Sequence, residues 1–411
     1  MIPVILSTLC ALAAPPLDAI TLDGEVVSGQ LVAATSDALT VDSDGGPQTL
    51  PLARLQKINF TEPAAASGAT PAAWVELVDG SAVRASSYVV DGKSAEIQLL
   101  GGGSGAVPIR AIRAVRFKQQ DEDQQLEWNR IRQERTQADR LVIRKNDRVD
   151  YLEGALHNIN AETVNFQLGD EVIPVGLAKI EGIIYHHRGI EDQPPAVFRL
   201  TDVEGSVLEG TQWTVADQGL SVRTPVGLEI RRSFDQIRQV DFSSDKIIYL
   251  AALEPKSTQW MPYFASGGMD ELLKSFYLPK NDRALTGNES EADEGRLQLA
   301  FNDGGEARIE AYARGIAVHS QTTIVYELPE KASRLRATVG IDARVRDSGH
   351  VRLVIKGDGQ ELFADDVDGA DDPRELSINV TGVRQLEIFV DFGENQDVGD
   401  HLNLCNARIV K

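Results

Sequence analysis

The chain has 411 residues, 42% hydrophobic and 25% charged, which is long enough for two or more domains with proper cores and too apolar for wholesale disorder. Its net charge of −21 is spread evenly, with −10 carried by residues 243–411 and −11 by the rest. Displacing counterions from a polyanion takes Lys and Arg, so nucleic acid and anionic membrane surfaces are poor partners, and 6% aromatics argue against a surface of many stacking platforms.

The first residues, "MIPVILSTLCALAAPPL", are uncharged through Ala14 and mostly apolar, with small residues at Ala11 and Ala13. The run is too short to span a bilayer and fits the apolar part of an export signal, predicting a cleaved segment at 1–14 and a secreted, periplasmic or cell-envelope protein. No Lys or Arg precedes it, and Leu9 stands where a lipidated Cys10 would need a small residue. No later segment is apolar for long enough to cross a membrane. With the signal removed, Cys405 is the single cysteine, so stability must come from burial and sheet pairing.

Residues 18–242 hold four copies of one pattern, ending at Phe60, Phe117, Tyr185 and Phe242, with spacings of 57, 68 and 57 residues. Each copy reads as four or five short strands separated by Asp-Gly, Glu-Gly or Gly-rich turns. Each closes on a period-two run, as in "LPLARLQKINF" and "VPIRAIRAVRF". Units this small cannot leave sheet edges open, and curling into a barrel removes them. The copies resemble Sm-like or SH3-like small barrels, two within 15–120 and two within 142–242. Members of that class often bind RNA or peptides. The acidic balance argues against RNA, and no peptide groove is marked.

The longer middle spacing comes from "DEDQQLEWNRIRQERTQADRL", residues 121–141, which lacks Gly and Pro. It predicts an amphipathic connecting helix with a loose stripe of Leu126, Ile131, Ala138 and Leu141, and too few heptads for a coiled coil. "TEPAAASGATP" (61–71) and "GIEDQPP" (189–195) read as linkers.

From residue 243 the strand-like runs lengthen: Ala311–Val318, Thr323–Leu328, Arg334–Ile341, His350–Lys356, Glu375–Val380, Gln385–Phe392 and Asn406–Val410. Gly- and Asp-rich loops between them predict an antiparallel β-sandwich over 243–411. The fold class is therefore all-β, with small-barrel repeats, one inserted helix and an antiparallel β-sandwich.

Five stretches of this region stand in one family's order: "GIAVHS", "ATVGID", "VRLVIKGDGQELF", "INVTGVRQLEIFVDFG" and "DVGDHLNLCNARIV". Together they resemble the NPCBM/NEW2 domain, a carbohydrate-binding module of jelly-roll fold. The resemblance implies a glycan partner, bound without catalysis, and related modules bind galactose-type sugars. It gathers His319, Asp342, Asp400, His401 and Asn403 as candidate sugar-binding residues. In the last stretch Asp400, His401 and Asn403 match the family's pattern, whereas Leu402 replaces a small residue and Leu404 a tryptophan. If that tryptophan packs on a sugar, its loss weakens binding; if it is a core residue, leucine is a tolerable exchange.

A sugar site needs polar side chains for hydroxyls and usually an aromatic face for ring C–H groups. The competing reading is that His319 and His401 are buried structural histidines bonded to Asp and backbone. The oxygen-rich cluster Asp391, Glu394, Asn395, Asp397 and Asp400, and the loop Asp365–Asp372, could take calcium or be solvated turns; no other cofactor is implied. Catalytic motifs are missing: around Ser104 the nucleophile-elbow pattern lacks its last glycine at Ala106, and His186 and His187 point to opposite faces of a strand. The sequence thus predicts an exported, non-enzymatic glycan-binding or adhesion protein. The alternative is a structural or protein-interaction component of the bacterial cell envelope without sugar binding.

Overall fold

The computed structural model describes residues 15–411 apart from 36, 120, 146–147, 188, 190–192, 217–218, 264–275, 287–294, 304–305 and 395. The expected signal at 1–14 and Asn395 of the acidic cluster lie outside the described residues. The chain divides into two compact units, the first running to Ser244 and the second spanning Asp245–Lys411.

In the first unit one order of elements recurs four times: four strands, a single 3-10 turn and a fifth strand. The first copy shows it as Pro16–Thr21, Val26–Ala34, Ala38–Ser43, Gly46–Pro51, the turn Leu52–Arg54 and Leu55–Phe60. The other copies start at Ala73–Leu77, Asp139–Lys145 and Phe198–Asp202, and the fourth breaks its second strand at Thr211. In every copy the first strand pairs with the second and the fifth, and the second, third and fourth pair in turn. The ladder of first and fifth strands slips by one residue at the same place each time: Ile20/Thr21, Ile112/Ala114, Val142/Ile143 and Thr201/Asp202. Such bulges bend and twist a strand, which is how five short strands curl around apolar residues placed at every second position.

The open edges are managed in two ways. Fifth strands pair across copies, Leu55–Phe60 with Ile237–Asp241 and Ile112–Arg116 with Ile180–Ile184, joining copy one to four and two to three. Fourth strands carry proline instead. The amides of Leu52, Ile109 and Leu177 bond inward to Asp37, Lys93 and Glu162, so by the two-residue period Pro47, Pro51, Pro108 and Pro174 sit at outward positions. A proline there offers no N–H to an incoming strand. The fourth copy's edge, Glu229–Ser233, has no proline and lies against the tract "GGGSGA". A Cβ on Gly103 would stand 2.9 Å from the Arg231 carbonyl oxygen, and one on Gly105 2.9 Å from that of Glu229. Glycine is what lets the two backbones meet.

The connecting helix, α1, spans Glu122–Gln133, shorter than the 121–141 expected. Asp121 caps it, accepting from the Gln124 amide while the Gln124 side chain reaches back to the Asp121 amide. Trp128 and Ile131, three residues apart, bury against Ala114, Val142 and Ile184, whereas the expected stripe residue Leu126 is 69% exposed. Of the expected stripe only Ile131 packs inward from the helix, where Trp128 rather than Leu126 is its partner; Ala138 and Leu141 lie beyond the helix. The helix ends where buried Arg140 donates to the carbonyls of Ile131, Glu134 and Arg135.

The second unit is a two-sheet sandwich. One sheet runs Lys280–Asn281, Gly315–His319, His401–Val410, Arg334–Ile341 and Arg374–Asn379, with Ile247–Tyr249 also on the long last strand. The other runs Ser257–Trp260, Thr322–Glu327, Gln385–Phe392, His350–Gly357 and Gln360–Asp368. Leu335, Val339, Leu353, Ile355, Ile388, Val390, Leu402 and Leu404 are among the apolar residues that fill the space between. A hairpin, Leu297–Asp303 and Glu306–Tyr312, covers Ala317 and Cys405 on the outer face of the first sheet.

Three expectations change here. Residues 311–318 belong to two strands parted at Ala313 and Arg314, not one. Gln360–Asp368 is a nine-residue edge strand; its Asp365, Asp366 and Asp368 look like loop residues but face water. The last strand begins at His401, not Asn406, so His401 and Asn403 lie on the sheet itself.

Candidate functional site

Along His401–Val410 side chains alternate, and Leu402 and Leu404 point into the core, so His401, Asn403 and Cys405 face the other way. Leu404 is fully buried between the sheets. The position that resembles the family's tryptophan is therefore a core position in this fold, and leucine fills it without removing a sugar platform.

The five sequence candidates separate into two groups. Asn403 donates from Nδ2 to Asp342 Oδ2 at 2.8 Å and to the Gln298 carbonyl at 3.1 Å. Asp342 in turn holds the Arg344 guanidinium at 3.2 Å. Both are buried, and the network ties the covering hairpin to the sheet, with Asn403 Oδ1 left without a hydrogen bond among the described residues.

His319, Asp400 and His401 gather at one corner. His319 stands opposite His401 in the ladder, with ring centroids 5.6 Å apart. Tyr277 lies 4.3 Å from the His319 ring and stacks on Trp260 at 5.4 Å. Trp260 in turn meets His319 edge-on at 6.5 Å and pairs in register with Thr322. The segment Ser320–Gln321 carries the chain from one sheet to the other beside them, and Gln321 takes φ +54° to make that turn.

Hydrogen bonding at this corner is incomplete. Trp260 Nε1, Ser320 Oγ, Thr322 Oγ1, Asp400 Oδ2 and His401 Nδ1 are all buried and make no well-formed hydrogen bond among the described residues, though the Ser320 hydroxyl interacts with the Asp400 carboxyl. Nearly every buried polar atom in a folded protein has a partner, and leaving one without costs about 1–3 kcal/mol. Here five gather around one corner, next to two stacked aromatic rings.

Burial sets the charge states. It pushes the Asp400 carboxyl up to about 6, and the Ser320 hydroxyl and the His350 amide pull it back only in part. Burial likewise holds His401 down to about 4, helped by His319 and Lys280, and lowers His319. Both imidazoles are thus neutral at pH 7 and can each donate and accept, as hydroxyl recognition needs.

Several carboxylates of the oxygen-rich stretches are engaged by neighbours. Asp365 pairs with Arg374, Asp366 with Arg352, and Asp372 accepts from the Asn302 amide. Asp391 accepts from Gln321 Nε2 and the Phe392 amide. Among the described residues no three His, Cys, Asp or Glu side chains are arranged to hold a metal ion. Ser104 starts a strand, and His187 bonds the Ile112 carbonyl while the His186 amide bonds Asp139.

Sequence reasoning missed Trp260, Tyr277, Ser320 and Thr322. The available signal was that Trp260 is one of four tryptophans and closes a short alternating run, "STQW". It lies 59 residues before His319, upstream of all five family stretches.

Residues 282–410 are an NPCBM/NEW2 domain. Solved structures similar to the chain include the CBM51-2 and INT domains of Clostridium perfringens ZmpB in complex with GlcNAc, with 22% identity and a TM-score of 0.32. That match covers 52% of this chain and 43% of that one. The CBM51 module from a Clostridium perfringens GH95 protein, in complex with methyl-galactose, matches with 19% identity and a TM-score of 0.32, covering 40% of this chain and 99% of that one. Tandem CBM51 modules from a Streptococcus pneumoniae family 98 glycoside hydrolase match at 10% identity and the same TM-score, covering 96% and 88%. The chain spans under half the length of the first of these. No curated protein matches it.

Proposed function

We propose, on the premise that residues 282–410 are an NPCBM/NEW2 domain, that this is an exported, non-catalytic protein whose sandwich recognises a glycan, with galactose-type sugars the first candidates. The observation that supports the reading is the corner built from Trp260, Tyr277, His319, Ser320, Thr322, Asp400 and His401. There Trp260 Nε1, Ser320 Oγ, Thr322 Oγ1, Asp400 Oδ2 and His401 Nδ1 lack a well-formed hydrogen bond among the described residues, while His319 Nδ1 meets the Ser320 carbonyl at 3.3 Å. Sugar hydroxyls both donate and accept, which suits neutral imidazoles, hydroxyls and a carboxyl group, and the Trp260–Tyr277 stack offers an apolar surface to ring C–H groups. Asp342 and Asn403 act by holding the covering hairpin in place. The four curled repeats serve as a spacer or interaction array that carries the module.

A second reading, an envelope interaction protein without sugar binding, is supported by the burial of the same atoms. His319, Asp400 and His401 are only 3%, 1% and 8% exposed, a depth that ordered water can also fill. The two readings part on a panel of neutral and acidic glycans presented to the full chain. Capture of neutral glycans that is abolished by Thr322→Val with His401→Ala supports the first. Indifference to the whole panel, or equal capture by a chain ending at Ser244, contradicts it.

A further inference from the structure

At the end of the sandwich away from His401, the edges of the two sheets part. Arg374, at the start of one edge strand, ion-pairs with Asp365 of the other at 2.7 Å and donates to the Asp366 carbonyl at 2.8 Å, clasping the edges together. Beyond that clasp the strands Gln360–Asp368 and Arg374–Asn379 diverge into a groove of about 850 Å³. Its lining includes the apolar Phe363, Ile378 and Val383 and the uncharged polar Gln360, Ser377 and Asn379. His350–Gly357 links the two ends, with His350 beside Asp400 and Gly357 in the groove, so the groove is separate from the corner site.

We propose that this groove is a second saccharide site, taking a neutral oligosaccharide. Its volume falls in the range of small-ligand sites, about 300–1,000 Å³. The chemistry is that of a pyranose: an aromatic ring and two aliphatic side chains for C–H faces, flanked by two carboxamides and a hydroxyl for hydroxyl groups. Ile378 is 8% exposed whereas Gln360, Ser377 and Asn379 are exposed, so the apolar part is the floor and the polar part the rim. Charge selects against other ligands. Asp358 and Glu361 line the groove, and the arginines that reach it are engaged, Arg374 with Asp365 and over the Phe363 ring at 5.8 Å and Arg334 with Ser377 Oγ at 3.2 Å. Its unpaired charge is therefore negative and disfavours anionic glycans and acidic peptides. Asp358 is already held by the Arg384 and Gln385 amides and shapes the turn rather than the ligand. A module with sites at both ends can hold two glycan chains at once, and the gain in avidity lets each site be individually weak.

Methyl-resolved NMR of the full chain tests this, with Ile378 and Val383 reporting on the groove and Val398, 56% exposed in the loop before Asp400, on the corner. The probes are lactose, xylotriose and N,N′-diacetylchitobiose, with an uncharged extended peptide as control. The expected result is saturable shifts of Ile378 and Val383 with at least one sugar, persisting in His401→Ala, and an apparent Kd raised about five- to tenfold by Gln360→Ala. Gln360 is exposed, so that variant keeps its fold, and Asn379→Ala provides a second rim variant. Shifts confined to Val398, groove shifts caused by the peptide alone, sugar shifts insensitive to both rim variants, or no groove shift with any sugar would each overturn the proposal.

Discussion

The two units treat buried polarity differently. In the repeats, buried charge is matched: Arg232 and Asp202, each 1% exposed, meet at 2.6 Å, and Arg232 also donates to the Leu100 and Gly102 carbonyls. Arg140 finds three carbonyls and Glu153, and Glu181 holds Arg144. Backbone edges are matched too, by cross-copy pairing, outward prolines and the glycine tract. The corner of the sandwich leaves five polar atoms without good partners in a space of a few residues. The repeats pair their buried charges and leave only scattered atoms, Trp128 Nε1, Asn158 Oδ1 and Arg232 Nε, without a hydrogen bond among the described residues, whereas the corner gathers five such atoms in one place.

The largest test of that contrast lies in the repeats. Arg232→Ala leaves Asp202 buried without its cation and removes the links to Leu100 and Gly102. Loss of one member of such a pair costs about 3–5 kcal/mol. The first unit should unfold well below the wild-type melting temperature, as followed by calorimetry, while sandwich signals stay in place. An unchanged melt would mean that the buried pair is not what fastens the fourth copy.

Next comes Gly103→Val, which drives a branched side chain onto the Arg231 carbonyl at a φ of +83°. Overpacking at a close backbone approach costs about 1–3 kcal/mol, and strain at positive φ adds to it. Hydrogen exchange in Glu229–Ser233 should accelerate locally. Equal exchange in both proteins would show that the tract is only a loop.

At the corner the sign reverses. Thr322→Val swaps a buried hydroxyl without a partner for a methyl group of similar size, so without ligand the protein should be stabilised by about 1 kcal/mol or left unchanged. A clear drop in melting temperature would reveal an internal partner for that hydroxyl.

The smallest effect is in pH. His401, depressed to about 4, contributes stability that is present above the ordinary histidine pKa and lost as pH falls through 4. Asp400, raised to about 6, contributes the other way: its stability is present below the ordinary carboxyl range and lost as pH rises through 6. The two partly cancel between pH 4 and 6. Asp400→Asn removes one of them, so the variant should melt higher than wild type at pH 7.5 and lose stability more steeply on going from pH 6.5 to 4. Parallel pH curves for the two proteins would contradict this.

Much of the fold was legible where alternation is regular. Arg334–Ile341 and Gln385–Phe392 read directly from sequence because every second residue faces a core. The four copies were legible as spacing, and the closing phenylalanine or tyrosine of each marks the end of its fifth strand. Gln360–Asp368 escaped because an edge strand with one wet face can carry aspartates. The cross-copy pairing of fifth strands had no local signal, since nothing in "LQKINF" names its partner. The resemblance singled out His319, Asp400 and His401, which the fold gathers at one corner, but Trp260 and Tyr277 come together with them only through the fold. Asp342 and Asn403 instead bond each other beneath the covering hairpin, a distinction that rests on what covers each part of one sheet face.

The central claim is that the corner is left open for a sugar rather than sealed as core. The most direct measurement is a pair of calorimetric titrations of a neutral galactoside into the full wild-type chain and into His401→Ala, with melting curves of both proteins. The account predicts saturable binding to wild type, a dissociation constant raised about 5- to 150-fold in the variant, as loss of one buried hydrogen bond of about 1–3 kcal/mol implies, and melting temperatures that nearly coincide. A wild-type chain that takes up no sugar, together with a His401→Ala protein that melts well below it, would contradict the claim and make His401 a structural residue.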